Sequence, residues 1–403
     1  MKSNTNPHPS HFILFVGAFL FLTFIKYGGN GHYFYMDLFQ HLLNPGSYPN
    51  DIFIQKSFVF KSSPWFSIVQ YFRIDLDNDF VGYFWQILLA TISLVAFTKT
   101  LKKFFAIEHI TTIYVIILAT IFLDSYRLIE GPYSGLICEH SCTQTQIAFQ
   151  LSFVFIYLLL TERFLWASLA LSVILLLTLK TYWILWPIGI LYIMRNQELK
   201  KTPIIYFCIP IVLVAINRAF NNVSSLSATK LQLVLMCQNI LSRDGNEDAF
   251  HLQSKAVLFA LALSFIVFFV LMKRFNDKIS TFFSSVFLIS FANCIAGGFY
   301  AWKGYLVYPN PVLILLSPVR SMSFYVFCFY LILGIVFLKS KVHEIFKTTL
   351  IVFFIIYVHL FRNPHSVFFL IGLYMLLIVL LFDGKLRQVM VHGIDILCAR
   401  PET

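Results

Sequence analysis

The sequence predicts an all-α protein: a polytopic bundle of about twelve membrane-spanning helices, within a range of ten to thirteen. Three observations predict it. Of the 403 residues, 59% are hydrophobic and only 12% are charged, against roughly 25% charged in a soluble domain. Phe alone supplies 46 residues, and such a chain could not cover a soluble surface with polar groups. The apolar residues also fall in continuous runs rather than in alternation, which argues against a membrane barrel. These features exclude a soluble enzyme, a secreted disulfide scaffold, a disordered chain and a coiled coil. The seven Cys are scattered, with no CxxC pair and no zinc-spaced Cys/His cluster. No Walker or Rossmann glycine motif is present.

Twelve runs carry the prediction: Phe12–Ile25, Val81–Phe97, Ile110–Leu123, Ile147–Leu160, Phe164–Leu179, Tyr182–Met194, Pro203–Ile216, Ala256–Met272, Phe282–Ala296, Phe324–Leu338, Thr348–Phe361 and Val367–Phe382. Several are shorter than the ~20 residues of a straight span. They must extend into polar flanks, or some are half-helices. The first run, preceded by Lys2, lacks a small-residue cleavage site and reads as an uncleaved anchor rather than a signal peptide. Residues 1–403 form a single membrane domain, and the tail 383–403 is too short to fold alone. No internal repeat supports a transporter built from matching halves.

Charge fixes the expected orientation. With the N-terminus in the cytoplasm, 17 of the 30 basic residues fall in short inner connectors and tails, among them Lys99, Lys102, Lys103, Arg163, Arg195 and Lys278. The formal net charge of +11 then divides as +9 inside and +2 outside. That asymmetry follows the positive-inside rule, so the basic balance reports topology and not nucleic acid. Both termini are expected in the cytoplasm.

The outer side carries the long loops: 26–80, 124–146, 217–255 and the stretch 299–321. Long outer loops on a bundle with minimal inner loops place the work on the outer face. In the first loop, Phe34, Leu38 and His41/Leu42 have the spacing of a short interfacial helix. Asp37 and His41 would share its face. Asp51 follows after the turn Asn44–Asn50. A carboxylate at an apolar boundary is desolvated and its pKa rises, which suits a base that takes a hydroxyl proton. Asp37 and Asp51 are therefore candidate bases, although capping or solvating an interfacial helix also accounts for Asp37. Asp75, Asp77 and Asp79 alternate, but the closing Glu and central Gly of a calcium loop are missing, and a solvated connector fits better.

In the second loop, Glu139 and His140 are of metal-ligand and acid/base type, which leaves a divalent metal open while no cofactor is required. Cys138 and Cys142 have the spacing of a disulfide or of one helical turn. Lys180 interrupts an apolar stretch, where a charge is costly and marks either a site or a snorkelling side chain. The stretch Tyr308–Ser321 contains Pro309, Pro311 and Pro318 and is too short to span. It reads as a re-entrant or broken segment, near 309–321, of the kind tolerated where it lines a cavity. Arg320 then stands near the start of a helix, against the dipole. An anion bound there would remove the conflict. Lys303, in the same outer stretch, is a further basic candidate.

At this point the chain resembles a known group. The anchor span, the early Asp37 in a Tyr/Phe-rich loop and Tyr48-Pro49-Asn50-Asp51 resemble the first outer loop of the GT-C superfamily of membrane glycosyltransferases. Ser317-Pro318-Val319-Arg320-Ser321 resembles a proline–arginine element of bacterial GT-C-like proteins. The resemblance implies a multi-span enzyme of the bacterial inner membrane that takes sugar from a polyprenyl-phosphate donor. Asp37 would be the base and Arg320 a phosphate contact. Its implied partners are membrane lipids and that donor. The chain departs from the protein-mannosyltransferase branch, because Leu38 rather than Glu follows Asp37. Three other classes stay open: an O-antigen-type polymerase or ligase, a transporter or flippase, and a scaffold without chemistry.

Overall fold

The computed structural model describes residues 44, 46, 64–73, 79–105, 144–179, 182–196, 202–220, 229–243, 277–310, 313, 324, 325, 328, 332 and 335. All regular structure among them is helical. The α-helices are α1 (Pro64–Phe72), α2 (Asp79–Phe105), α3 (Gln144–Leu160), α4 (Phe164–Leu177), α5 (Leu185–Arg195), α6 (Cys208–Phe220), α7 (Lys230–Arg243), α8 (Asp277–Phe299) and α9 (Tyr305–Val307). Two 3-10 turns, Tyr182–Ile184 and Thr202–Phe207, lead into α5 and α6, and a π-turn, Tyr300–Gly304, joins α8 to α9.

Six of the apolar runs coincide with helices. α2 continues beyond its run through Lys102 and Lys103 to Phe105, the extension into a polar flank that a short run requires. Phe324, Tyr325, Cys328, Ile332 and Ile335 are each helical and buried, at the spacing of one helix face. Among the described residues α8 is long and apolar enough to cross a bilayer, while Ile147–Leu160, Phe164–Leu177 and Pro203–Asn217 are apolar but shorter. The runs beginning at Phe12, Ile110, Ala256, Thr348 and Val367 lie outside the described residues, as does the expected interfacial helix around Asp37.

Two segments read as loop contain helices, and α8 outlasts its apolar run. α1 lies within 26–80, with Pro64 at its first position, where the missing N–H costs nothing. α7 lies within 217–255. Its start is a reciprocal cap: the Thr229 N–H donates to Gln232 Oε1 at 2.9 Å, and the Gln232 N–H donates to Thr229 Oγ1 at 3.4 Å. α8 runs on through Gly297 and Gly298, both buried, so packing outweighs the ~1 kcal/mol each glycine costs in a helix.

The α3–α4 hairpin closes on a Schellman motif. The Arg163 N–H reaches the Leu158 carbonyl at 2.9 Å and the Glu162 N–H reaches Leu159 at 3.0 Å. Glu162 occupies the left-handed position at φ 63, where a non-glycine residue costs roughly 1–2 kcal/mol. Its carboxylate pairs with Lys278 in the first turn of α8. Both side chains are 36% exposed, so the pair contributes at most about 1 kcal/mol and mainly fixes which ends meet.

The helices pack through small hydroxyls and aromatic rings. Thr100, Ser152, Ser172 and Ser285 donate to carbonyls three or four residues back in their own helices, which satisfies a buried hydroxyl without a side-chain partner. The 3-10 turn before α6 is held from two sides. Ser168 of α4 donates to the Tyr206 carbonyl, and Trp186 Nε1 of α5 donates to the Phe207 carbonyl at 2.7 Å. Phe207 is fully buried, edge-on to Phe155 of α3 at 6.5 Å. Its ring fills the space over Gly189, where an added Cβ would overlap it.

Outward-facing positions are apolar. Phe84, Leu88, Ile92 and Val95 form an exposed stripe on α2, and Leu165, Trp166, Leu169 and Val173 form one on α4. Ile211, Val212 and Ile216 on α6, and Leu288, Phe291, Ile295 and Phe299 on α8, do the same.

Gly189→Ala is expected to destabilise the fold by about 1–3 kcal/mol, the usual cost of overpacking. Trp186→Phe should cost about 1 kcal/mol by stranding the Phe207 carbonyl. Thermal unfolding of the purified variants checks both.

Candidate functional site

The packing defines two ends. Phe105 at the end of α2, Leu160 at the end of α3, and Phe282 and Phe283 near the start of α8 line one small apolar cleft. Glu162 meets Lys278 there, and Arg195 Nη1 donates to Ser284 Oγ at 3.0 Å. This end gathers Lys102, Lys103, Arg163, Arg195 and Lys278 into a basic rim. At the other end of α5, the Tyr182 ring stands edge-on to Phe324, with centroids 5.6 Å apart at 84°.

Helix lengths make the second end uneven. At 1.5 Å per residue, α3, α4 and α5 rise about 25, 21 and 17 Å from the rim, whereas α2 and α8 rise about 40 and 35 Å. Among the described residues, the three short helices therefore stop roughly 10 Å or more before the long ones, a step in helix length. Gln144, the first residue of α3, stands level with the end of α4, its antiparallel partner. The Trp183 N–H donates to Leu179 O at 3.2 Å, just past that same end.

Two polar atoms at this step are buried without a hydrogen-bond partner among the described residues: Gln144 Oε1 and Trp183 Nε1. Gln144 is 8% exposed. Each such atom costs about 1–3 kcal/mol relative to a paired one. The sequence reading passed over both. Gln144 looked like part of a polar flank and Trp183 like an ordinary apolar residue, and only packing tells that either is dry.

Above the step, α8 ends in a knot. The Tyr305 N–H reaches the Tyr300 carbonyl five residues back, which opens the π-turn. The Tyr300 hydroxyl accepts the Asn310 N–H at 2.7 Å. Its own proton is shared between the carbonyls of Tyr308 at 2.9 Å and Asn310 at 3.0 Å. The phenol lies close over Gly304, where an added Cβ would stand 3.0 Å from the ring. Pro309 and Asn310 are non-helical, so the helix breaks where the proline-rich stretch begins. Cys237 of α7 is fully buried, and α7 packs on α9. Burial pushes the Tyr300 phenol pKa up, against the opposing effect of the Asn310 N–H and with support from neighbouring Cys237. Burial likewise pushes the Cys237 thiol up, opposed by the Asn310 N–H.

Of the residues singled out from the sequence, Lys303 is described: it is exposed on the π-turn. Asp37, His41, Asp51, Glu139, His140, Lys180 and Arg320 lie outside the described residues. Described residues stand close in the chain to three of them. Gln144 follows His140 by four residues, Tyr182 follows Lys180 by two, and Phe324 follows Arg320 by four. Gln144 and Tyr182 belong to the end opposite the basic rim, Tyr182 touches Phe324, and Cys328, four residues on from Phe324, lines the cleft with Phe105 and Leu160. Among the described residues no group of three or more His, Cys, Asp or Glu is placed to hold a metal ion.

No protein-family model, characterised protein or solved structure matches the chain.

Tyr300→Phe removes the knot and is expected to cost about 1–2 kcal/mol. It should also speed alkylation of Cys237 by a small maleimide, with Cys237→Ser identifying the signal. The raised phenol pKa has a definite sign: the unfolded chain ionises first, so stability is full below about pH 10 and falls as pH rises further. The variant should lose less stability than wild type over that range in thermal unfolding.

Proposed function

We propose that the chain is a polytopic membrane protein of about twelve spans. It works, on this reading, as an outer-face glycosyltransferase that takes sugar from a polyprenyl-phosphate donor to build a cell-envelope glycan or glycolipid. Apolar stripes along the exposed faces of α2, α4, α6 and α8, with hydroxyls turned inward, support a lipid surround. Soluble monomers rarely expose apolar patches on that scale, and helices in lipid pack through small hydroxyl residues. The basic rim then faces the cytoplasm, in the bacterial inner membrane, with both termini on that side.

The observation that carries the catalytic reading is the Tyr182–Phe324 contact. It brings together the chain neighbours of Lys180 and Arg320. On this reading Lys180 and Arg320 act together, and two cations suit a lipid phosphate whose charge grows as the sugar leaves. In the reaction, the acceptor oxygen forms a bond to the anomeric carbon as the carbon–oxygen bond to the phosphate breaks. The acceptor's proton passes to a carboxylate, Asp37 first and Asp51 as the other candidate. The polyprenyl phosphate departs with its negative charge held by Arg320, with Lys180 and Lys303 in support. His41, Glu139 and His140 are the remaining substrate contacts, and Glu139 with His140 is where a divalent metal would enter. The aromatic interior of the bundle suits a lipid tail.

The test is the host's surface glycan profile in Asp37→Asn and Arg320→Ala, with membrane protein level matched. Loss of a positioned base costs about 10²–10⁴-fold in rate, so the affected glycan should disappear in Asp37→Asn and fall steeply in Arg320→Ala. A profile like wild type in both variants, when gene deletion alters it, overturns the site. A deletion that changes no glycan moves a transporter or scaffold to the front.

A further inference from the structure

We infer that the apolar cleft between α2, α3 and α8 seats part of one acyl chain of an anionic phospholipid, whose phosphate is held at the basic rim by Lys102 and Arg163. This rests on the membrane reading proposed above and is independent of the transferase. Leu101 and Phe105 of α2, Leu160 of α3, Phe282 of α8 and Cys328 line the cleft. Thr100 also lines it, but its hydroxyl already donates to the Ala96 carbonyl at 2.8 Å. A polar occupant would therefore lose its water bonds and gain none from this wall, whereas hydrocarbon loses nothing.

Charge restricts the occupant further. Lys102 lies between Leu101 and Phe105, Arg163 follows Leu160 by three residues, and Lys278 precedes Phe282 by four. Each is within about one helical turn of a lining residue. At about 100° per residue, Lys102 flanks the Leu101–Phe105 arc, whereas Lys99 and Lys103 fall on the far side of α2 and Asp277 on the far side of α8. Lys103 Nζ lies over the Phe104 ring, 5.6 Å from its centroid. Glu162 is engaged by Lys278. Among the described residues the mouth of the cleft thus sets three cations against one carboxylate, an excess of two positive charges. A zwitterionic lipid or an apolar peptide would leave that excess unmatched. A lipid with a net negative phosphate matches both the wall and the charge. On the membrane reading such a lipid is at hand, because α2 and α8, which bound the cleft, carry exposed apolar stripes.

The experiment uses the full chain in nanodiscs of equal phosphatidylglycerol and phosphatidylcholine, with native mass spectrometry counting the lipids it retains. Wild type is expected to retain one phosphatidylglycerol, preferred to phosphatidylcholine by about tenfold or more. Lys102→Gln and Arg163→Gln should each lower that preference about fivefold, the scale of one cation near an anionic headgroup. Lys99→Gln removes the same charge from the same end of α2 but from its far side, and should leave the preference unchanged. Cys328→Leu adds hydrocarbon inside the cleft with every charge in place, and should release the retained lipid. A phosphatidylglycerol with a diazirine at its chain terminus should label the wild-type peptides 97–105 and 282–283, a reading that needs no variant. Equal loss of preference in Lys99→Gln and Lys102→Gln overturns the inference and leaves a diffuse surface charge. Labelling confined to the exposed stripes overturns it too, as does displacement of the retained lipid by an equal amount of polyprenyl phosphate. Washing with alkaline carbonate separates this inference from the reading beneath it. A chain released from membranes overturns both, whereas an integral chain without the phosphatidylglycerol preference overturns the lipid site alone.

Discussion

The seat of Phe207 against Gly189 holds the described bundle together. One ring, fully buried, fills the notch that a missing Cβ leaves on α5 and meets Phe155 of α3 edge-on. The backbone around it is pinned by Ser168 from α4 and Trp186 from α5. Four chain segments therefore share one joint. Pro210, four residues on, has no N–H for the Tyr206 carbonyl, which leaves that carbonyl open to the Ser168 hydroxyl. With that joint set, α3, α4 and α5 keep a common register, and their short tops end together.

That register matters for function because short helices beside long ones create the step. α2 and α8 continue past it, and α8 carries the Tyr300 knot that turns the chain into its proline-rich stretch. The rim at the other end is tied by Glu162 and Lys278. The pair is too exposed to contribute much stability, yet it keeps a costly left-handed glutamate where glycine would be easier. Charge at one end and dry polar atoms at the other give the described bundle a direction.

Much of this was legible in the sequence wherever apolar runs were long. The runs at Ile147, Phe164, Tyr182 and Pro203 have helices within a few residues of their limits, because nothing but hydrophobic burial decides them. Boundaries failed where a local rule was overridden. The run ends at Ala296, but the buried Gly297 and Gly298 carry α8 onward to the π-turn, which no pattern of apolar residues announces. α7 was missed although Thr229 and Gln232 have the capping-box spacing, because polar composition masked it as loop. Lys303 was picked for its charge alone. Gln144 and Trp183 were invisible, since their significance is burial without a partner, and burial is a property of neighbours distant in sequence.

The central claim is chemical: sugar leaves a polyprenyl phosphate at the face opposite the basic rim. The direct measurement is single-turnover assay of the purified full chain in proteoliposomes, with radiolabelled sugar on a polyprenyl phosphate and an envelope-lipid extract as acceptor. The account predicts that label moves to acceptor, that polyprenyl phosphate is released in equal amount, and that Asp37→Asn abolishes both. Label that crosses the bilayer while remaining on its polyprenyl phosphate, at the same rate in Asp37→Asn, would contradict it and identify a flippase instead.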